Sequence, residues 1–210
     1  MSRKQSIVVA AVVAIVAIAS GMLLARSLLG GSGSTQLGLA KATLLTPPRP
    51  LPEFELIDQS GATFDRSRLK QHWSLLFFGF THCPDVCPTT LGMLAKTGKE
   101  LANLPQDRRP QVIFISVDPK RDTPEQLAPY VKFFDPSFTG VTGSQEAIDD
   151  FTRALGVPVA ISPTGNGDYT VDHSAAIFLI DPNGAMRALF STPHTPAVIA
   201  ADYRRIVDAG

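Results

Sequence analysis

Phe77-Phe78-Gly79-Phe80-Thr81-His82-Cys83-Pro84-Asp85-Val86-Cys87-Pro88-Thr89-Thr90-Leu91 runs from an apolar strand through a short loop into a helix. The strand, Trp73 to Phe80, has no polar alternation, which predicts burial on both faces of a sheet covered by helices. Pro84 disfavours regular helix within the loop. Pro88 suits a first turn, so a helix is predicted from about Pro88 to Asn103, beginning near Cys87. The only two cysteines of the chain, Cys83 and Cys87, therefore sit at a strand–loop–helix junction. Unpaired N–H groups and the positive end of a helix dipole favour thiolate there, the form that binds metal and attacks disulfides.

Outward from this junction, short apolar strands alternate with amphipathic stretches. Val112 to Val117 reads as a strand, and Pro124 to Phe134 as a helix capped by Asp122 or Thr123. Ser144 to Leu155 reads as a helix closed by Gly156. Ala176 to Ile180 and Ala185 to Phe190 flank Asp181-Pro182-Asn183-Gly184, a hairpin turn with Gly184 at positive φ. A last helix runs from about Pro196 to Asp208, and a short hairpin, Phe54 to Ile57 with Thr63 to Asp65, comes first. The pattern predicts one α/β domain over residues 51–210, with a mixed sheet and helices on each side. With cysteines after the first long central strand, this order resembles a thioredoxin-like fold. The phenylalanines are expected in the core, and Asp118-Pro119-Lys120-Arg121-Asp122 as an exposed, solvated loop.

The N-terminal stretch has a different character. Residues 1–6 are basic and polar, and Ile7 to Ala25 carries no charge. At 1.5 Å per residue that run reaches roughly 28 Å, enough for a transmembrane helix. The preceding positive charges predict a cytoplasmic N-terminus. A cleaved signal peptide ending near Ala17-Ile18-Ala19 is the competing reading. A mitochondrial presequence would be amphipathic and Arg-rich, so a bacterial inner membrane with a periplasmic C-terminal domain fits better. Residues 26–50, with Gly30-Gly31-Ser32-Gly33-Ser34 and Pro47-Pro48-Arg49-Pro50, have the composition of a flexible linker. The 19 basic and 19 acidic residues balance and form no basic block, which argues against a nucleic-acid partner.

Three residues between the cysteines leave two outcomes open: chelation of one ion, or a disulfide. A bridge this short would constrain the unfolded chain little. The thioredoxin redox motif has two intervening residues, so a plain oxidoreductase is disfavoured. Two sulfurs alone are an incomplete transition-metal site, and the missing donor is sought among four histidines. His173 precedes the apolar strand and could face the end of a neighbouring one, although the residues alone favour reading it as a hydrogen-bonded turn residue. His82 adjoins Cys83 and should point away from it, while His72 and His194 read as solvated turn residues. Met93 could be a soft ligand but reads as core filler. Asp85 and Asp172 could orient neighbouring ligands through hydrogen bonds, or could simply be solvated.

Taken together, Phe78 to Pro88, Ser116-Val117-Asp118-Pro119-Lys120-Arg121-Asp122-Thr123-Pro124 and Tyr169-Thr170-Val171-Asp172-His173-Ser174 resemble the Sco/SenC family of copper-handling proteins, from about Leu51 to the C-terminus. The resemblance implies a thioredoxin-like domain that binds one copper ion, as Cu(I) or Cu(II), through Cys83, Cys87 and His173. It also implies a chaperone rather than an enzyme, serving assembly of the CuA centre of cytochrome c oxidase. The implied partners are the copper-binding oxidase subunit, a periplasmic copper donor, a thiol reductant and the membrane. A thiol-disulfide reductase acting on copper-site cysteines is the alternative, weakened by the cysteine spacing and by the lack of a proline just before His173. A structural zinc site would lack its fourth protein ligand.

Overall fold

The central strand β4 (Ser74–Gly79) has all six residues buried, as its unbroken apolar run requires. In the computed structural model the described residues are 37–165 and 168–209. The expected cytoplasmic segment 1–6, membrane helix 7–25 and first part of the linker, 26–36, lie outside them. Among the described residues no helix is long and apolar enough to cross a membrane.

The remaining strands are β1 (Ala42–Pro50), β2 (Glu55–Asp58), β3 (Thr63–Asp65), β5 (Gln111–Ser116), β6 (Thr139–Thr142), β7 (Val159–Gly165), β8 (Asp168–His173), β9 (Ile177–Ile180) and β10 (Ala185–Phe190). The helices are α1 (Val86–Glu100), α2 (Pro124–Phe134), α3 (Gln145–Leu155) and α4 (Pro196–Asp208). Eight strands form one mixed sheet in the order β1-β10-β9-β4-β5-β6-β2-β3. β4 runs parallel to β5 and antiparallel to β9, so the cysteine strand is hydrogen-bonded on both edges. This is the α/β, thioredoxin-like arrangement the sequence predicts.

Most local signals behave as expected, but the predicted side-chain cap of α2 does not form: Thr123 sits at the N-cap without a cap hydrogen bond, and Asp122 accepts from Thr81 and Ser116 instead. Pro124 starts α2, Ser144 caps α3 by accepting from the Ala147 N–H, and Gly156 ends it in the left-handed region at φ 74°. Gly184 supplies φ 75° in the β9–β10 turn.

Two departures are instructive. The stretch expected to be linker up to residue 50 contains β1, which pairs antiparallel with β10 from Ala42 opposite Phe190. Its prolines are tolerated because β1 is an edge strand with an irregularity between Leu44 and Arg49, where ladder donors are dispensable. Its entry is held by Asp202 of α4, a fully buried carboxylate that accepts from the N–H groups of Ala40 (2.9 Å), Lys41 (2.7 Å) and Ala42 (2.9 Å). The second departure is β7, which pairs with β8 as a separate two-stranded ribbon. His173 therefore ends a ribbon strand instead of opening the buried strand that follows.

Candidate metal centre

Gly79, the last residue of β4, is where sheet and helix approach most closely. A Cβ there would lie 2.7 Å from Cys87 Sγ and 2.7 Å from the Phe114 ring, closer than real contacts allow. The missing side chain is what lets α1 lay Cys87 across the strand end. The chain then turns, the Cys83 N–H donating to Phe80 O at 3.2 Å, and α1 begins at Val86 with Pro88 in its first turn. First-turn N–H groups have no helical carbonyl to bond, so the proline is harmless. The Cys87 N–H instead donates to Cys83 Sγ at 3.4 Å. Both cysteines are free; Cys87 is buried and Cys83 half-buried.

His173 closes the group. Its Nδ1 lies 3.0 Å from the Ser174 carbonyl oxygen, which can only accept, so Nδ1 carries the proton and Nε2 presents a lone pair. That lone pair meets Cys87 Sγ at 3.2 Å. The ring is held edge-on by Phe77 and Phe80, with centroids 6.1 and 5.9 Å away. The donor atoms of Cys83, Cys87 and His173 all lie within 4.8 Å of one another.

Burial pushes the Cys87 thiol well above its ordinary value, and neighbouring Cys83 adds to the shift. The sequence-based expectation of a dipole-stabilised thiolate thus fails for Cys87: desolvation of the charged form outweighs the helix terminus. Burial lowers the His173 pKa, opposed by its bond to Ser174 and the charge of Asp172, so the imidazole is neutral near pH 7. A neutral imidazole and two cysteine sulfurs, with a proton on the buried Cys87 that a metal can displace, fit a soft ion such as copper. Among the described residues no fourth His, Cys, Asp or Glu joins the cluster, which does not suit a closed zinc site.

The other candidates fall elsewhere. His82 is exposed, its Nδ1 3.0 Å from Thr81 Oγ1. His72 is exposed. His194 differs from its expected solvated state: its Nε2 lies 2.7 Å from Ala175 O, on the segment after His173. Met93 is core, contacted by the Thr97 hydroxyl. Neither expected orienting carboxylate bonds to a ligand. Asp85 accepts from Thr89 Oγ1 at 3.2 Å, and Asp172 from Ser162 Oγ at 3.3 Å across the ribbon. The ligand-orienting acceptor is a backbone carbonyl, which no side-chain pattern reveals.

Sequence reasoning also missed the buried polar layer beneath the site. The 118–122 loop, expected to be solvated, buries both aspartates. Asp122, with no exposed surface, accepts from Thr81 N–H (2.9 Å), Thr81 Oγ1 (2.5 Å) and Ser116 Oγ (2.6 Å). Asp118 accepts from Arg121 Nε and, at 2.6 Å, from the Tyr169 hydroxyl. The available signal was positional: Thr81 and this loop follow the C-terminal ends of adjacent parallel strands, where functional loops of open α/β sheets converge. Tyr130 also approaches the sulfurs, with a buried hydroxyl lacking a partner among the described residues and its pKa raised by burial and then by Cys87 and Cys83.

Comparison with known proteins identifies the family and fold to which the chain is similar. The family described as SCO1/SenC matches residues 44–208. A SCO2-like protein of Rickettsia prowazekii is 40% identical over 179 residues, covering 78% of this chain and 85% of its own. The solved structure of Arabidopsis thaliana ScoI with copper bound is similar with a TM-score of 0.72 at 33% identity, covering 76% of this chain and 98% of that one. Bradyrhizobium japonicum ScoI with copper bound gives 0.68 at 38% identity, covering 75% and 99%.

Proposed function

The chain belongs to the SCO1/SenC family, and from that premise we propose that it is a copper chaperone holding one copper ion, as Cu(I) or Cu(II), between Cys83, Cys87 and His173. The carrying observation is the convergence of these three donor atoms within 4.8 Å. Copper is cargo in this reading, so the residues must both hold and release it. Cys87, the buried donor, forms the inner side of the site, while Cys83 and His173 are half-buried and Cys83, on the loop, is the donor an incoming ligand reaches first. Loading removes the proton from Cys87 to solvent, because His173 Nε2, already turned toward the Cys87 sulfur, must keep its lone pair for the ion. Ligand exchange starting at Cys83 then passes the ion to an acceptor site.

The acceptor in this proposal is the copper-binding subunit of cytochrome c oxidase, for assembly of its CuA centre. A periplasmic copper donor fills the site, and a thiol reductant keeps the cysteines reduced in an oxidising compartment. Residues 7–25 serve as a membrane anchor, and the domain lies on the periplasmic side of a bacterial inner membrane. The tether is shorter than its composition suggests, because Asp202 holds the chain from Ala40 onward.

A second reading, reduction of disulfides at copper-site cysteines, is favoured by one observation: both cysteines are free and their sulfurs adjacent. Cys83 would attack the substrate disulfide, and Cys87 would resolve the mixed disulfide, leaving this chain oxidised and the substrate reduced by two electrons. Titration of the reduced full chain with Cu(I) and Cu(II), followed by transfer to a CuA-binding domain and disulfide-reduction assays in one buffer, separates the two. Stoichiometric loading and transfer are expected; disulfide reduction without loading would replace the chaperone reading.

A further inference from the structure

The ribbon that carries His173 shares no ladder with the eight-stranded sheet. What fixes it must therefore be side chains. In β8, Tyr169, Val171 and His173 alternate onto one face, since successive strand residues point to opposite sides. Val171 is buried in the core and His173 reaches Cys87. Tyr169, about 13 Å along the strand from His173, is gripped from three directions. Its hydroxyl donates to buried Asp118 at 2.6 Å, and the Arg121 guanidinium lies 3.8 Å from its ring centroid. Arg121 Nη1 also donates to the Tyr169 carbonyl at 3.1 Å, while Arg121 Nε is bound by Asp118.

The same guanidinium lies 5.7 Å from the Phe80 ring, and Phe80 is one of the two rings that hold the His173 imidazole edge-on. A continuous stack, Tyr169 to Arg121 to Phe80 to His173, thus links the far end of β8 to the ligand and runs through the residue that leads from β4 into the cysteine loop. Of these side chains only His173 belongs to the donor set.

We propose that Tyr169, clamped by Asp118 and Arg121, is a positioning residue that holds β8 where His173 Nε2 meets Cys87, and so sets how strongly the nitrogen donor takes part in copper binding. The inference rests on the copper reading above. Two thiolates suffice for Cu(I), whereas Cu(II) draws more on imidazole. Loosening the clamp should therefore weaken the two oxidation states unequally.

The test uses the reduced full chain and two variants. Tyr169→Phe removes only the hydroxyl bond to Asp118. Arg121→Lys keeps a charge beside Asp118 but loses the planar stack and the fork to the Tyr169 carbonyl. In both, Cu(II) affinity should fall roughly tenfold, the lower end of what loss of an outer partner costs a metal site. Cu(I) affinity should change by less than about threefold, because both thiolates remain. Nitrogen hyperfine coupling in the Cu(II) electron paramagnetic resonance spectrum should weaken in step. Without metal, the ¹⁵N shift of His173 Nε2 should move toward that of an imidazole free of the Cys87 contact. Unchanged Cu(II) affinity and unchanged His173 shifts in both variants would overturn the proposal. So would equal losses for Cu(I) and Cu(II) accompanied by a lower unfolding temperature, which is the mark of a merely structural residue. Should the parent bind neither ion, the copper reading fails, while the metal-free shifts still decide whether the clamp positions His173.

Discussion

The cysteine loop and the histidine ribbon supply donors to the same site but are built in different ways. The cysteines hang from β4, bonded to strands on both edges, and from α1, packed so close to Gly79 that no side chain fits between them. His173 ends a ribbon outside that sheet, placed by Tyr169, Val171 and edge-on aromatic contacts. Backbone pairing positions the sulfurs and side-chain packing positions the nitrogen. The sulfur half should therefore resist perturbation until the fold itself gives way, whereas the nitrogen half should be separable from folding.

The harshest test of that contrast is Gly79→Ala. A methyl 2.7 Å from both Cys87 Sγ and the Phe114 ring must push α1 off the strand. We expect a loss of about 3 kcal/mol in denaturant unfolding and loss of both Cu(I) and Cu(II) loading. Near-parental stability would show that the sulfur half is not fixed by this contact.

His173→Ala probes the other half. Cu(II) affinity should fall more than about 100-fold, beyond the usual range for outer partners, with Cu(I) binding largely retained and stability within about 1.5 kcal/mol of the parent. Equal affinity of variant and parent for Cu(II) would remove His173 from the site. Asp122→Asn acts beneath the cysteine loop, where three donors converge on one buried carboxylate. An amide cannot accept all three, so about 2 kcal/mol of stability should be lost, with Cu(I) uptake affected more than in Tyr169→Phe. Thermal unfolding together with Cu(I) competition titration checks both.

Most of what was legible in the chain was local. Pro124, Ser144, Gly156 and Gly184 announce caps and turns within a few residues, and the run from Leu75 announces a central strand. The failures are all long-range. β1 was hidden by its prolines because the carboxylate that holds its entry, Asp202, lies about 160 residues away in sequence. Asp118 and Asp122 look like loop charges until Tyr169 and Thr81 are brought onto them. The cysteines could be read as a site from their junction alone. His173 could not, since its placement depends on a short, mostly exposed ribbon strand, Val159–Gly165, interrupted by Pro163 and ended by Gly165. The family resemblance supplied what periodicity did not.

The smallest expected effect is the pH response of the metal-free protein. The depressed His173 pKa means that the unfolded chain binds more protons below its ordinary value of 6.5. Stability from this group is therefore present above that pH and declines as pH falls. Cys87 works in the opposite sense: its raised pKa makes its contribution complete below the ordinary 9.0 and lost as pH rises beyond it. Chemical unfolding from pH 5 to about 10 should show a shallow plateau bounded by these groups. In His173→Ala the acid-side decline should flatten while the alkaline side is retained.

The central claim is the donor set, and X-ray absorption on the reduced full chain loaded with one equivalent of Cu(I) reads it most directly. The account predicts sulfur scattering from Cys83 and Cys87 together with an imidazole nitrogen from His173, the nitrogen shell disappearing in His173→Ala. A copper environment of oxygen and nitrogen alone would contradict it.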